Sequence, residues 1–234
     1  MEISGKKAIV FGGTSGIGLA AVHMLRDAGA EIVAASRNPG RADPIEGVTF
    51  TACDVRDTAA VEALMRDNAP FDILINAATG GDRAIGPFLD MDMDGFRGSF
   101  DKLWGYANVV RYGVPHMNEN GAVVLVSGAP ARRIKPGQVA IGSVGGAVEA
   151  FARSVAAEIA PRRINTVAPG QIDTPMIALE GAERDAFYKN MTANHLIPRG
   201  GTSEEVAEAI LFTIRNDFVT GTTIDVDGGW LAAP

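Results

Sequence analysis

The stretch Lys7-Ala8-Ile9-Val10-Phe11-Gly12-Gly13-Thr14-Ser15-Gly16-Ile17-Gly18 decides the fold of this chain. Ala8–Phe11 is an apolar, strand-forming run, the glycines indicate a tight turn, and the residues that follow begin a helix. In such a turn, backbone N–H groups and the positive end of the helix dipole face a phosphate group. The glycines alone are a weak signal, because a tight strand-to-helix turn is also a common structural element.

Six further apolar runs follow along the chain, with helical stretches between them. The runs are Ile32–Ala35, Val48–Ala52, Ile73–Ile75, Val123–Val126, Ile164–Val167 and Thr223–Val226. The clearest helices are predicted at Ser143–Ala160 and Gly95–Val114. This alternation predicts an α/β protein, a single-domain Rossmann fold whose doubly wound seven-stranded parallel sheet has helices on both faces. Such uniformly apolar strands are expected to be buried on both faces.

One domain is expected to cover residues 1–234, because the sequence shows no linker, internal repeat or low-complexity run. The polar stretch Thr174–Gly201 contains Pro175 and Pro198 and is predicted to form a small helical lid, about 174–201.

The bulk composition excludes several classes of protein. A net charge of −7 argues against a protein that coats nucleic acid. No apolar run reaches the roughly 20 residues of a membrane span, and the first strand follows Met1 too closely for a signal peptide. Cys53 is the single cysteine, so no internal disulfide is possible. We expect a buried thiol, a reducing cytoplasmic location and no metal site.

The spacing of Gly12, Gly16 and Gly18 resembles that of the short-chain dehydrogenase/reductase family, although Phe11 stands where a threonine is common. Further matches fall in order along most of the chain: Cys53-Asp54-Val55, Asn76-Ala77-Ala78-Thr79, the stretch 165–176, Thr220-Gly221 and Asp227-Gly228-Gly229. The resemblance implies an NAD(P)-binding Rossmann domain, a small-molecule substrate and a homo-oligomer, most simply a tetramer. The small, apolar helix at Ser143–Ala160 gives that assembly a physical basis.

The resemblance also implies a cofactor site. Asp54 and Val55 are expected at the adenine, and Ile172 and Thr174 at the nicotinamide carboxamide. The predicted cofactor residues are Gly12, Thr14, Ser15, Gly16, Ile17, Gly18, Ser36, Arg37, Asn38, Asp54, Val55, Asn76, Ala77, Ala78, Pro169, Gly170, Ile172, Thr174 and Met176.

The end of the second strand predicts which nucleotide is preferred. An NAD enzyme usually has an acidic residue there, which binds the ribose hydroxyls. Here Ser36 takes that place, and the neighbouring Arg37 can hold a 2′-phosphate through its planar guanidinium. NADP(H) is therefore expected over NAD(H). The alternative is that Arg37 is only a solvated surface residue.

Four positions depart from the catalytic pattern of the family, which uses Ser, Tyr and Lys assisted by Asn. Counting from the matched segments places Gly128 in the Ser position, Ile141 in the Tyr position, Gly145 in the Lys position and Lys102 in the Asn position. Neither Tyr nor Lys occurs between residues 136 and 187, so no shift of the alignment restores the pair. The cofactor site is predicted to be kept and the usual proton relay to be lost.

Lys102 is the candidate catalytic residue that this comparison offers. A lysine facing an apolar pocket has a lowered pKa and can act as acid, base or imine former. Tyr106, one turn further along the same helix, is a weaker candidate. Alternatively, Lys102 is exposed or paired with Asp101 or a partner subunit.

Other side chains are less clearly placed. Arg132, Arg133 and Lys135 lie in a loop that, by the resemblance, borders the substrate, so they either bind an anionic group or form a solvated surface. Tyr188 and His195 belong to the predicted lid and are expected at the surface; the alternative is that they reach into the site.

Three functions are compatible with this pattern. The first is an NADP(H)-dependent oxidoreductase for a carbonyl or alcohol substrate, possessing a non-standard active site. The second is a non-redox enzyme, such as a lyase, isomerase or cyclase. The third is a catalytically silent NADP-binding sensor, or a partner subunit in a hetero-oligomer with an active relative. The fold alone does not choose among them.

Overall fold

The computed structural model describes residues 1–79 and 83–234. Seven strands form one sheet in the order β3-β2-β1-β4-β5-β6-β7, and each neighbouring pair is parallel. The predicted seven-stranded, doubly wound α/β fold is thereby confirmed. The strands are β1 Lys7–Phe11, β2 Glu31–Ser36, β3 Val48–Ala52, β4 Phe71–Asn76, β5 Met117–Val126, β6 Arg163–Pro169 and β7 Thr223–Val226.

Helices cover both faces of this sheet. They are α1 Gly16–Asp27, α2 Thr58–Asp67, α3 Met93–Ser99, α4 Asp101–Gly113, α5 Val139–Glu158, α6 Gly181–Met191 and α7 Ser203–Arg215. The apolar sides of α1 and α7 pack with one set of inward strand residues, and those of α2, α4 and α5 pack with the other. Side chains cap the starts of α2 and α7. Asp57 accepts from the Ala60 N–H, and Thr202 and Glu205 form a capping box.

The two edge strands are less buried than their sequences suggest. Residues of β3 and β7 are half-buried or exposed, whereas β4 is buried throughout. The expectation that all seven strands are buried on both faces was therefore wrong for these two. Each edge strand has a neighbour on one side only, and the covering helices do not extend fully over it.

The predicted helix at 95–114 is two helices, α3 and α4, separated at Phe100. Ser99 explains the break, because its hydroxyl donates to the Gly95 carbonyl at 2.9 Å and accepts from the Ala84 N–H at 2.9 Å. A serine that bonds back to the preceding turn bends a helix. The break leaves α4 free to begin beside the end of β5.

Helix α5 is the one helix in the described ranges that is long and apolar enough to cross a membrane. In this fold Val148 and Ala152 belong to a core cluster and Val144 is buried as well. Packing on the sheet therefore accounts for much of the apolar character of α5.

Candidate active site

A cavity of about 490 Å³ opens at the carboxyl ends of the strands. It lies where the sheet order reverses between β1 and β4, which is where open α/β sheets bind ligands. Every residue predicted to bind the cofactor lines this cavity except Asn76. The structure thus gathers these separate segments around one space.

The glycine-rich turn after β1 is closely packed. Gly12 has a φ of 77°, and a Cβ atom there would lie 2.7 Å from the Ala78 backbone nitrogen. A Cβ atom on Gly18 would collide with the Gly12 carbonyl. Ser15 precedes α1 without a side-chain capping bond, so the first-turn N–H groups remain available to a ligand. This cradle fits a pyrophosphate at a helix N-terminus.

Asn76 shapes the site from beneath. Its side chain is fully buried, and its Oδ1 atom accepts a hydrogen bond from the Ala78 N–H at 3.1 Å. It therefore holds the turn after β4, which packs against Gly12, and it does not reach the cavity.

The outer end of the cavity, beyond β2, is cationic. Thr14 donates to the Ser36 hydroxyl at 3.1 Å, and Arg37 and Arg41 are exposed residues of the lining. Neither arginine forms an ion pair with another described residue. Arg41 was not identified from the sequence; it lies in the short 3₁₀ turn Pro39–Arg41 that follows β2. This end of the cavity offers two guanidinium groups.

Asp54 also lines the cavity, but its carboxylate already forms an ion pair with Arg56. The Arg56 guanidinium donates to Asp54 at 2.8 Å, and this hydrogen bond lowers the pKa of Asp54. Cys53 beside it is buried as predicted, and burial raises the pKa of its thiol to about 11. Cys53 is therefore a core thiol and an unreactive one.

The inner end of the cavity brings Lys102, Gly128, Ile141 and Gly145 together. Lys102 is half-buried, and its Nζ atom donates to the Ser127 carbonyl at 3.1 Å. Burial of the amine, together with repulsion from Arg83, lowers the pKa of Lys102 to about 7. A lysine with such a pKa exchanges its proton readily near neutral pH.

Tyr106 lies under Lys102, outside the cavity. Its ring centroid is 5.4 Å from the Lys102 amine, its side chain is fully buried, and its hydroxyl donates to the Val126 carbonyl at 2.9 Å. Burial raises the pKa of Tyr106. The structure gives this residue a packing role and does not bring it to the reacting space.

A buried polar network behind the inner end was not found from the sequence. Ser127 donates to a Glu149 carboxylate oxygen at 3.1 Å, and Arg132 lies 3.4 Å from the same carboxylate. Arg132 also forms a two-pronged ion pair with Asp225. Burial raises the pKa of Glu149. The placement of Glu149 among the small, apolar residues in the middle of α5 was the only available signal.

The three loop cations do not line the cavity. Arg132 is held by Glu149 and Asp225, Arg133 donates to the Trp230 and Ala233 carbonyls, and Lys135 lies over the Trp230 ring at 5.4 Å. The expectation that these three side chains either bind an anion or are merely solvated was therefore wrong. Arg132 fastens the loop to Glu149 and Asp225, and Arg133 and Lys135 fasten it to the residues around Trp230.

Tyr188 and His195 are buried, which corrects their predicted surface placement. The Tyr188 hydroxyl donates to the Ile172 carbonyl at 3.1 Å, and the His195 ring stacks on Trp230 at 5.9 Å. Both side chains therefore support the segment at 174–201 from within.

Arg184 of α6 fastens the segment that carries four cavity residues, Thr174, Pro175, Met176 and Ile177. It forms an ion pair with Asp173 and donates to the Thr174 carbonyl at 2.9 Å. One helix, α6, lies within 174–201. This arrangement makes Arg184 the main polar anchor of the predicted lid.

Comparison with known proteins defines the class. A family model described as enoyl-(acyl carrier protein) reductase matches residues 12–231. L-xylulose reductase of Mesocricetus auratus is 30% identical, over 99% of this chain and 98% of its own. Carbonyl reductase (NADPH) 2 of Sus scrofa is 29% identical, over 100% of this chain and 99% of its own. A crystal structure of a small-chain dehydrogenase in complex with NADPH has a TM-score of 0.84 and 28% identity, covering 98% of this chain and 100% of that one. The chain belongs to the short-chain dehydrogenase/reductase family of oxidoreductases.

Proposed function

We propose that this protein is an NADP(H)-dependent oxidoreductase for a carbonyl or alcohol substrate and that it uses a non-standard active site. The observation that carries the proposal is the position of Lys102, whose amine lines a cavity in which Gly128, Ile141 and Gly145 provide no acid. A relative, carbonyl reductase (NADPH) 2, and a similar structure in complex with NADPH support the choice of this cofactor.

The chain's residues fit this cofactor. The turn at Gly12 and the start of α1 would hold the pyrophosphate. Arg37 and Arg41 would hold a 2′-phosphate, and Ile172 and Thr174 would contact the nicotinamide carboxamide. The cofactor supplies or accepts a hydride when bound.

Lys102 performs the proton transfer in this proposal. During reduction, hydride adds to the carbonyl carbon, the π electron pair moves to oxygen, and the Lys102 ammonium gives that oxygen its proton. The amine then regains a proton from water. In the oxidative direction, neutral Lys102 takes the hydroxyl proton. A pKa of about 7 suits both directions near neutral pH.

The test is a screen for NADPH oxidation with a panel of carbonyl compounds, repeated with Lys102→Met. Oxidation that depends on Lys102 supports the proposal. Substrate turnover without net oxidation of NADPH would instead indicate a non-redox enzyme. Tight NADPH binding without any turnover, together with association with an active relative, would indicate a silent partner subunit.

Two further features belong to this proposal. We expect a homotetramer, because α4 exposes Trp104 and α5 carries a small, apolar surface. We also expect a cytoplasmic location, which the single buried thiol of Cys53 fits.

A further inference from the structure

Two cationic side chains, Lys102 and Arg83, line the inner end of the cavity. Arg83 is near enough that its charge disfavours the Lys102 ammonium, and its charge also acts on Tyr106 below Lys102. Arg83 is open to solvent, yet the surrounding protein still removes enough water to lower the pKa of its guanidinium. Two like charges in such a space repel each other unless an anion joins them.

The described carboxylates near this end are already engaged. Asp54 and Asp101 both bond to Arg56, and Glu149 is held by Ser127 and Arg132. Within residues 1–79 and 83–234, no carboxylate forms an ion pair with Lys102 or Arg83. The counter-ion for this pair is therefore expected from the ligand.

The cofactor's phosphates have other partners. The pyrophosphate cradle lies at the turn after β1, and Arg37 and Arg41 lie at the outer end beyond β2. Lys102 and Arg83 instead lie with Gly128, Ile141 and Gly145, where the substrate is expected. The positive charge at the inner end is thus left for the substrate.

We infer that Lys102 and Arg83 together bind a substrate carboxylate, which makes 2-oxo acids and the corresponding 2-hydroxy acids the substrate class. This inference rests on the proposed function. When the carbonyl oxygen of the substrate faces Lys102, the carboxylate on the adjacent carbon lies beside Arg83. The planar guanidinium matches a carboxylate through two parallel hydrogen bonds, so Arg83 determines specificity.

Anion binding also changes the protonation of Lys102. A carboxylate beside the amine favours its charged form, so the pKa of Lys102 rises when the anion binds. At pH 8 the complex therefore takes up protons from solution. Proton uptake is a measurement of binding that requires no turnover.

The experiment uses the whole protein saturated with NADP⁺ and the non-reducible probe oxamate, with uncharged ethyl oxamate as its matched control. Calorimetry in two buffers of different ionisation enthalpy gives affinity and proton uptake. We expect oxamate to bind at least about tenfold more tightly than its ester. Arg83→Gln should remove this preference and Arg83→Lys should keep most of it. Lys102→Met should abolish the proton uptake, and Lys135→Met, which removes a cation outside the cavity lining, should change nothing.

Equal affinity for oxamate and ethyl oxamate would overturn the inference, as would a preference that survives in Arg83→Gln. Pyruvate and methyl pyruvate separate this inference from the proposed function. Equal reduction of both compounds would overturn the carboxylate site and leave the oxidoreductase intact. Selective binding of oxamate without NADPH oxidation by pyruvate or other carbonyl compounds would support the carboxylate site and refute the oxidoreductase.

Discussion

Lys102 donates a hydrogen bond to the carbonyl of Ser127 at 3.1 Å, and this bond ties α4 to the end of β5. The Ser127 hydroxyl turns away, to Glu149 at 3.1 Å. The backbone of Ser127 thus holds the amine on the cavity wall, and the Ser127 side chain belongs to the buried network behind it. Removing the amine tests the proposed proton transfer most directly.

Lys102→Met is expected to slow the chemical step by at least about tenfold, because methionine retains most of the side-chain length and lacks the proton. NADPH affinity should change little. Exposed Lys189 on α6 provides the matched control, and Lys189→Met should retain the parental rate. Single-turnover kinetics with a substrate from the screen measure this step. An unchanged rate in Lys102→Met would exclude a catalytic role for this residue.

The pH dependence should report the same group. Carbonyl reduction needs protonated Lys102, so its kcat/KM, which reports the enzyme without substrate, is expected to fall as pH rises through about 7, the lowered pKa of this residue. Alcohol oxidation needs the neutral amine and should rise over the same interval. Both dependences should disappear in Lys102→Met. Rate profiles from about pH 5 to about pH 9, which is roughly two units on either side of that pKa, measure both dependences. A midpoint that persists in the variant would assign the titration to another group.

Cofactor preference should depend on the guanidinium groups at the outer end. Arg37→Ala is expected to weaken NADPH binding by roughly 10- to 100-fold and to leave NADH binding nearly unchanged. Arg41→Ala should act in the same direction, since Arg41 also lines this end. Exposed Arg97, paired with Asp94 on α3, is a control whose loss should have no effect. Titration of both nucleotides measures the discrimination, and full discrimination in Arg37→Ala would disprove the assignment.

The overall fold could be predicted from local sequence patterns, because the tertiary structure preserves the elements that these patterns favour. Apolar runs marked all seven strands, and the glycine spacing marked the turn at Gly12. The break at Ser99 was missed because it depends on a hydrogen bond from Ala84, which lies outside the helix. The exposure of β3 depends on its place at the sheet edge, which no run of residues encodes.

Residues of the candidate site could be predicted where consecutive residues of one segment indicate their role. Ser36 and Arg37 are consecutive, and their place after β2 was readable. Arg83 was missed because its proximity to Lys102 arises from tertiary structure, in which the neighbouring Ala84 N–H bonds to Ser99 just before α4. Glu149 was missed because a charged residue on a helix usually faces solvent, whereas here Ser127 and Arg132 satisfy it in the interior.

Arg184→Met should loosen the segment at 174–180. The change removes the ion pair to Asp173 and the bonds to the Thr174 and Leu179 carbonyls. NADPH affinity is expected to fall severalfold, because ordering of this segment would then accompany binding. Limited proteolysis with and without NADPH, alongside titration, measures both effects. Unchanged cleavage and affinity would show that Arg184 does not anchor the lid.

Trp104 tests the proposed tetramer. Its side chain is 64% exposed on α4, and an aromatic residue in that setting is typical of an interface anchor. Trp104→Glu should place a charge in the interface and shift the protein to smaller species in sedimentation velocity, with its circular dichroism preserved. A wild-type chain that sediments as a monomer at micromolar concentration would refute the assembly itself.

Placing the family's catalytic residues at positions 128, 141 and 145 tests whether these are the relay positions. Gly128 has room for a side chain, since a Cβ atom there would meet no atom closer than 3.6 Å. A Cβ atom on Gly145 would lie 3.0 Å from the Ala131 Cβ atom, so this neighbour must shift slightly. The triple variant Gly128→Ser, Ile141→Tyr and Gly145→Lys should therefore fold and bind NADPH.

The triple variant is expected to reduce a neutral ketone such as cyclohexanone at least about 100-fold faster than the parent, because a positioned general acid contributes roughly 10²–10⁴-fold. A matched control places the lysine one residue later, as Gly146→Lys, where a side chain meets only open space. One residue turns the helix by about 100°, so this lysine points away from the tyrosine. NADPH oxidation should therefore rise with Gly145→Lys and stay low with Gly146→Lys. Equal rates in the two folded, NADPH-binding variants would show that positions 128, 141 and 145 are not the relay positions of the family.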